Sequence, residues 1–326
     1  MKSNADTNQR SLLRRLKIND YMVYVIFALT LLIFAVWLGG TFFSVTNILN
    51  ITRQTAMVSV MAVAMTFVIA SGNIDLSIGS TVALTALVVA LVVQYTDSII
   101  LGVLAGFSIG FVVGLINGFL ITKIGIPSFL ATLGMGGVVK GTAMWVTNTA
   151  AVPVTNSTFN TIFGLGDIFS IPTLFLWTIA IMLVGHYVLK HLGFGKKVLS
   201  VGGNSLAAQY TGIKVDWVTT KVMILSSMSA VLAGLLYTGR MQAARYTFGE
   251  GDELTVIAAV ILGGTSMAGG AGSVIGAVVG SLLMGMINNG LIIGGLSVSQ
   301  QVIVRGAIII IAVGVGTVTS RYAKSK

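Results

Sequence analysis

Cysteine is absent from the 326 residues, which excludes disulfides, iron–sulfur ligation and thiolate chemistry, and with them several enzyme classes. Charge is scarce as well. Only 9% of the residues are charged, against about a quarter in an ordinary soluble domain, which needs them to cover its surface. With 9 acidic residues and 2 histidines, few groups are available for acid–base work, ion coupling or metal ligation. His186 and His191 stand five apart without the H-E-x-x-H pattern of a helical zinc site, and no nucleophile–base constellation of a hydrolase is recognisable. Proline is rare too, with 3 residues against 40 glycines.

What is present is apolar. Hydrophobic residues make up 55% of the chain. They come in runs of about twenty, the length that spans a hydrocarbon layer of roughly 30 Å. Runs of this kind occupy Tyr21–Gly39, Thr55–Ser71, Leu76–Gln94, Ile99–Thr122, Ser128–Val146, Thr173–Leu189, Val218–Gly239, Leu254–Gly264, Val274–Ile293 and Gln300–Val318. The eighth is too short to cross alone, so it either extends through the Gly-rich stretch after it or is a broken helix packed against protein. Tyr21–Gly39 follows a basic tail but is longer than a signal-peptide core and lacks a small-residue cleavage site, so it is read as the first span. Abundant glycine suits closely packed membrane helices, whose backbones approach where side chains are small.

The net charge of +10 is a matter of placement. Fourteen of the 19 basic residues lie in the N-terminal tail, in or beside the segment 191–217, at Lys123, and in the C-terminal tail. All fourteen share one side if both termini are cytoplasmic and the number of spans is even, as the positive-inside rule requires. A nucleic-acid partner is not needed to explain them. The expected organisation is a cytoplasmic tail at 1–20, one transmembrane domain at 21–319 containing the cytoplasmic loop 191–217, and a cytoplasmic tail at 320–326. Lys140 and Arg305 fall inside spans, within snorkelling reach of an interface, and Arg53, Arg240 and Arg245 are assigned to the same boundary.

A faint echo runs through the chain. Gly102, Gly106 and Gly110 recur as Gly272, Gly276 and Gly280, and Gly114-Leu-Ile-Asn117 returns as Gly285-Met-Ile-Asn288. Upstream, Gly72-Asn-Ile-Asp-Leu76 is answered loosely by Gly251-Asp-Glu-Leu254. The copies lie an odd number of crossings apart, which predicts inverted five-helix repeats of the kind transporters use. The fold class expected is an all-α polytopic membrane protein of about ten transmembrane helices with both termini cytoplasmic. A glycine at every fourth position is also what a simple helix-packing stripe carries.

Within loop 191–217, Asn204 or Ser205 is a fitting N-cap, Leu206–Thr211 has helical propensity, and Gly212 can end the helix in the left-handed conformation. A helix of about two turns outside the membrane is predicted. It can act as a lever driven by a soluble partner.

This loop, together with Ser71-Gly-Asn-Ile-Asp-Leu-Ser-Ile-Gly-Ser80, Ala258-Ala-Val-Ile-Leu-Gly-Gly-Thr-Ser-Met-Ala-Gly-Gly270, Asn47–Asn50 and Gly285–Leu291, resembles the permease subunits of ribose-type bacterial ABC monosaccharide importers. Asn73 departs from the family pattern, which more often has Gly there. The resemblance implies an inner-membrane transport subunit, not an enzyme, that carries a ribose- or allose-like sugar by alternating access. It implies three protein partners: an ATPase subunit, a periplasmic sugar-binding protein and a second permease copy. It also implies that Gly203, Asn204, Ser205, Leu206, Ala207, Ala208, Gly212 and Ile213 form the coupling helix that docks into the ATPase. ATP and Mg would belong to that partner, and this chain has no phosphate loop of the G-x-x-x-x-G-K-[ST] type.

Glu250, Asp252 and Glu253, on the outer side with Asp97 and Asp167, are then candidates for docking the binding protein; a solvated loop is the plainer reading. Asn73, Asp75, Asn117, Asn288 and Asn289 are pore or gating candidates. For Asp75 the alternative is capping of the third helix with Ser77, and for the asparagines it is hydrogen bonding between helices. An ion-coupled secondary transporter of a small polar solute also fits inverted repeats, with Asp75 nearly its only coupling carboxylate.

Overall fold

The computed structural model describes residues 18–324. The tail residues Lys2, Arg10, Arg14, Arg15, Lys17 and Lys326 lie outside them. The chain is helical almost throughout: α1 Ile18–Leu38, α2 Val45–Ala70, α3 Ile78–Thr96, α4 Ile99–Phe119, α5 Ser128–Thr147, α6 Thr173–His191, α7 Gly193–Gly203, α8 Ser205–Tyr210, α9 Val215–Met241, α10 Asp252–Leu262, α11 Val274–Ile293 and α12 Val298–Lys324. Among the described residues, eight segments of these helices are long and apolar enough to cross a membrane. Val36, Trp145 and Ile303 are among many large apolar side chains left exposed, a surface suited to lipid rather than water.

The predicted second span begins ten residues too late. α2 starts at Val45, where the Ser44 hydroxyl caps it by accepting from the Asn47 amide at 3.2 Å. At 26 residues α2 is one of the longest helices, and with α3 and α9 it forms the buried centre. The predicted eighth span is α10, an 11-residue helix that stops at Leu262. The Gly-rich stretch after it is a chain of turns, so of the two options the broken helix is the one realised, packed against α2, α11 and α12.

α2 packs on α9, α10 and α11; α9 packs on α2, α3 and α4; α3 packs on α4 and α5; α10 packs on α11 and α12. Glycine makes the closest of these approaches possible. A Cβ at Gly114 of α4 would strike the Ile224 backbone of α9, and one at Gly280 of α11 would strike the Ala259 carbonyl of α10. α1 lies on α11, with Phe34 in contact with Gly290 and Trp37 with Gly294. A two-residue ladder joins β1 Val152–Pro153 to β2 Ala243–Ala244, antiparallel, and ties the loop after α5 to the end of α9.

Candidate functional site

The segment after α6 is more ordered than a loop. α7 buries Val198 and Val201, leaves Lys197 exposed, and is pinned by Phe194, whose ring stacks on Phe67 of α2 at 6.2 Å. Four glycines hid this helix from the sequence reading. At Asn204 the backbone turns extended, and its side-chain oxygen accepts from the Ala207 amide at 3.0 Å, starting α8. The end is a Schellman motif. Gly212 adopts φ +85° and donates to the Gln209 carbonyl at 2.9 Å, while Ile213 donates to the Ala208 carbonyl at 3.1 Å. Ala208 faces inward at 4% exposure, whereas Leu206 and Tyr210 stand out at 65% and 89%. The product is a rigid knob with two large apolar side chains on its free face.

The knob is fastened to the membrane helices by backbone. Gly202, just before it, lies so close to Ala70 at the end of α2 that a Cβ there would overlap the Ala70 carbonyl. The turn between α10 and α11 reaches the same point. Gly269 and Gly270, at φ +79° and +77°, lie against Gly202 and Gly203, and Gly270 donates to the Ala70 carbonyl at 2.9 Å. Three chain segments thus meet with no side chain between them.

The predicted pore residues divide. Asp75 is fully buried. One of its oxygens accepts from the Ser77 amide at 2.9 Å and the Ser77 hydroxyl at 2.6 Å, an Asx turn that leads into α3. Its other oxygen has no hydrogen-bond partner among the described residues. Asn117 donates to the Ser77 hydroxyl at 2.9 Å, and Thr132 accepts from the Leu76 amide at 2.9 Å, so α4 and α5 both hold this turn. Asn73 bonds locally, to the Ser71 hydroxyl at 3.0 Å. Asn289 exchanges two hydrogen bonds of 3.0 Å with Asn47, a tie between α11 and α2 that makes Asn47 a residue the sequence reading passed over. Asn288 does not join it. Among the described residues its buried side-chain oxygen has no hydrogen-bond partner, and it lies beside a cavity of about 130 Å³ that Asp252 and Arg305 also line.

The acidic trio makes three separate contacts. Glu250 is exposed and paired with Lys140 at 2.7 Å, so Lys140 has a carboxylate partner on the protein. Asp252 accepts from the Tyr237 hydroxyl at 2.7 Å, and Glu253 lies close to Gly79 at the start of α3. Arg53 likewise has a carboxylate partner, Asp167 at 3.0 Å. A larger cleft of about 240 Å³ between α2, α4, α6 and α9 is lined by apolar side chains such as Val60, Phe67, Val184 and Leu232, and offers a polar solute little. Among the described residues, no group of three or more His, Asp or Glu is placed to hold a metal ion.

Comparison with known proteins adds a family. A family model described as "Branched-chain amino acid transport system / permease component" matches residues 47–313. The ribose import permease protein RbsC of Escherichia coli (strain K12) is 37% identical over 280 residues, covering 85% of this chain and 87% of the relative. The protein of the same name from Bacillus subtilis (strain 168) is 39% identical over 279 residues, covering 85% and 86%. The xylose transport system permease protein XylH of Escherichia coli (strain K12) is 28% identical over 370 residues, covering 94% of each. No solved structure matches the chain.

Proposed function

The chain belongs to the branched-chain amino acid transport system permease family, and from that premise we propose that it is the inner-membrane permease subunit of an ATP-driven importer of a ribose-like monosaccharide. The relatives named as ribose import permeases, which the chain covers over most of their length, support the sugar. The observation that carries the ATP-driven reading is α8: a capped, rigid helix with Leu206 and Tyr210 exposed, fastened through Gly202 to α2 and to the turn before α11. A bare channel has no use for such a knob, whereas a subunit moved by a separate motor needs one.

In this reading the ATPase closes on α8. The displacement passes through the backbone contact of Gly202, Gly269, Gly270 and Ala70 to α2, α10 and α11, which then change the side on which the path is open. Backbone on backbone leaves little slack, as close-packed interiors transmit displacement rather than absorb it. ATP and Mg act on the partner, the binding protein delivers sugar at the opposite face, with Glu250 at its docking edge, and a second permease copy completes the path.

The scaffold is read as inverted five-helix repeats, of which α2–α5 and α9–α12 are the parts that correspond. Support comes from the packing: exchanging the two sets turns the contacts α2–α11, α2–α10, α3–α4 and α3–α5 into α9–α4, α9–α3, α10–α11 and α10–α12, all of which occur. The glycine echo obeys the same exchange, since Gly114 meets α9 and its counterpart Gly285 meets Thr55 of α2. Replacing Leu206 and Tyr210 together by Ala tests the coupling. The expected outcome is an unchanged melting temperature, because both side chains are exposed, with loss of co-purification of the ATPase. Retained co-purification and uptake refute the assignment of α8.

A further inference from the structure

The cavity beside Asp252 has a composition that the coupling role does not use. It lies between α2, α9, α10, α11 and α12 and presents planar hydrogen-bonding heads from Gln54, Asp252, Asn288 and Arg305, with the Tyr237 ring beside them. Tyr237 is fixed at both ends: its hydroxyl is held by Asp252 and its ring stacks on Phe248 at 5.1 Å. Among the described residues, the side chains of Gln54, Asn288 and Arg305 hold no hydrogen bond, and the Asn288 oxygen is buried. The buried Asn288 oxygen is costly to leave unpaired away from water, so it calls for a polar occupant, water or solute, in the cavity.

The charge pattern restricts the occupant. One carboxylate and one guanidinium face the same cavity, so a cation meets Arg305 and an anion meets Asp252. A neutral solute meets neither penalty, and a zwitterion avoids both only by seating its ammonium on Asp252 and its carboxylate on Arg305; between the two, the relatives named ribose import permeases favour the neutral sugar. Asp252 and the Asn288 oxygen accept, Arg305 donates, and the amide heads do both; a sugar hydroxyl likewise both donates and accepts. The cavity, of about 130 Å³, is several times the roughly 30 Å³ share of one water, so it has room for a small polar solute.

We infer that this cavity is a monosaccharide-binding recess within a single permease chain, in which Asp252 and Asn288 accept from sugar hydroxyls and Gln54 and Arg305 donate to them. The inference rests on the importer reading and extends it, because it gives the permease sugar-recognising residues of its own in addition to those of a binding protein.

The test is equilibrium dialysis of radiolabelled D-ribose, D-xylose and D-glucose against the purified full-length permease in lipid nanodiscs. Saturable binding of at least one sugar is expected. Asn288→Leu and Gln54→Leu should each weaken it about tenfold or more, the consequence of one lost polar contact, while Ser108→Ala, exposed on α4, leaves it unchanged. If a leucine variant loses its cooperative melt, Gln54→Glu, which keeps the side-chain shape but replaces the donor amide by an acceptor and adds a second negative charge to the cavity that Asp252 lines, takes its place with the same expectation. Absence of saturable binding, or equal binding by wild type and the cavity variants, overturns the recess. ATP-driven uptake by the assembled transporter is measured in parallel. Uptake with wild-type KM in both cavity variants overturns the recess and leaves the importer standing; no ATP-driven uptake by the wild type overturns both.

Discussion

Gly202→Ala is the sharpest perturbation of the coupling path. The new methyl group would overlap the Ala70 carbonyl, a backbone atom that no rotamer change can move aside. α7 and the end of α2 must separate. Overpacking of this kind costs about 1–3 kcal/mol. The separation also strains the 2.9 Å bond from Gly270 to the Ala70 carbonyl, and a buried backbone group left unpaired costs about another 1–3 kcal/mol. A total of ~2–6 kcal/mol is expected. Gly203→Ala is the control: its Cβ would find only the Gly270 Cα, at 3.8 Å, an ordinary contact, so a change within about 0.5 kcal/mol is expected. Thermal unfolding of the two purified variants, followed by ATPase activity and sugar uptake of the assembled complexes, reads the difference. Gly202→Ala should melt earlier and hydrolyse ATP with little uptake, while Gly203→Ala should match the wild type in both. Indistinguishable melts and uptake for the two variants would refute the claim that force passes through this contact.

Three further outcomes are expected. Asn289→Leu removes both bonds to Asn47 and leaves the buried Asn47 oxygen unpaired, while its nitrogen still donates to the Phe42 carbonyl, a loss of about 1–3 kcal/mol; a double-mutant cycle with Asn47→Leu should show the pair costing less than the sum of the singles. Lys140→Ala breaks an ion pair whose side chains are 37% and 58% exposed, so a melting shift worth no more than about 1 kcal/mol is expected; a larger loss would mean that the pair is more than a surface contact. Gly212→Val places a branched side chain at φ +85°, which costs roughly 1–2 kcal/mol, and should lower recovery of the ATPase on co-purification; full recovery would argue that α8 does not need this ending.

Local signals were legible in the sequence. α8 was readable because its cap, its length and its terminating glycine are all near neighbours, and Asn204 and Gly212 do what their residue types favour. The spans were legible wherever a helix faces lipid. The start of α2 was not, because Asn47, Asn50, Thr52, Arg53 and Gln54 lower its hydropathy, yet Asn47 and Arg53 are satisfied within the protein by Asn289 and Asp167. Hydropathy reports the solvent a residue would choose, not the partner it finds. The contacts of the acidic trio were hidden for the same reason: Glu250, Asp252 and Glu253 are neighbours in sequence, but Lys140, Tyr237 and Gly79, which they meet, lie on three different helices. Asp75 lies buried in the turn after α2, which Thr132 of α5 holds through the Leu76 amide, and nothing local in the sequence announces that partner.

The central claim is that ATP hydrolysis on a partner chain drives sugar through this one. It is tested most directly by uptake of radiolabelled D-ribose into proteoliposomes that contain the permease with its ATPase and binding protein, with membrane potential and pH gradient collapsed. Uptake that requires hydrolysable ATP and all three proteins is the predicted result. Uptake that proceeds without ATP and follows an imposed ion gradient would contradict the account and mark the chain as a secondary transporter.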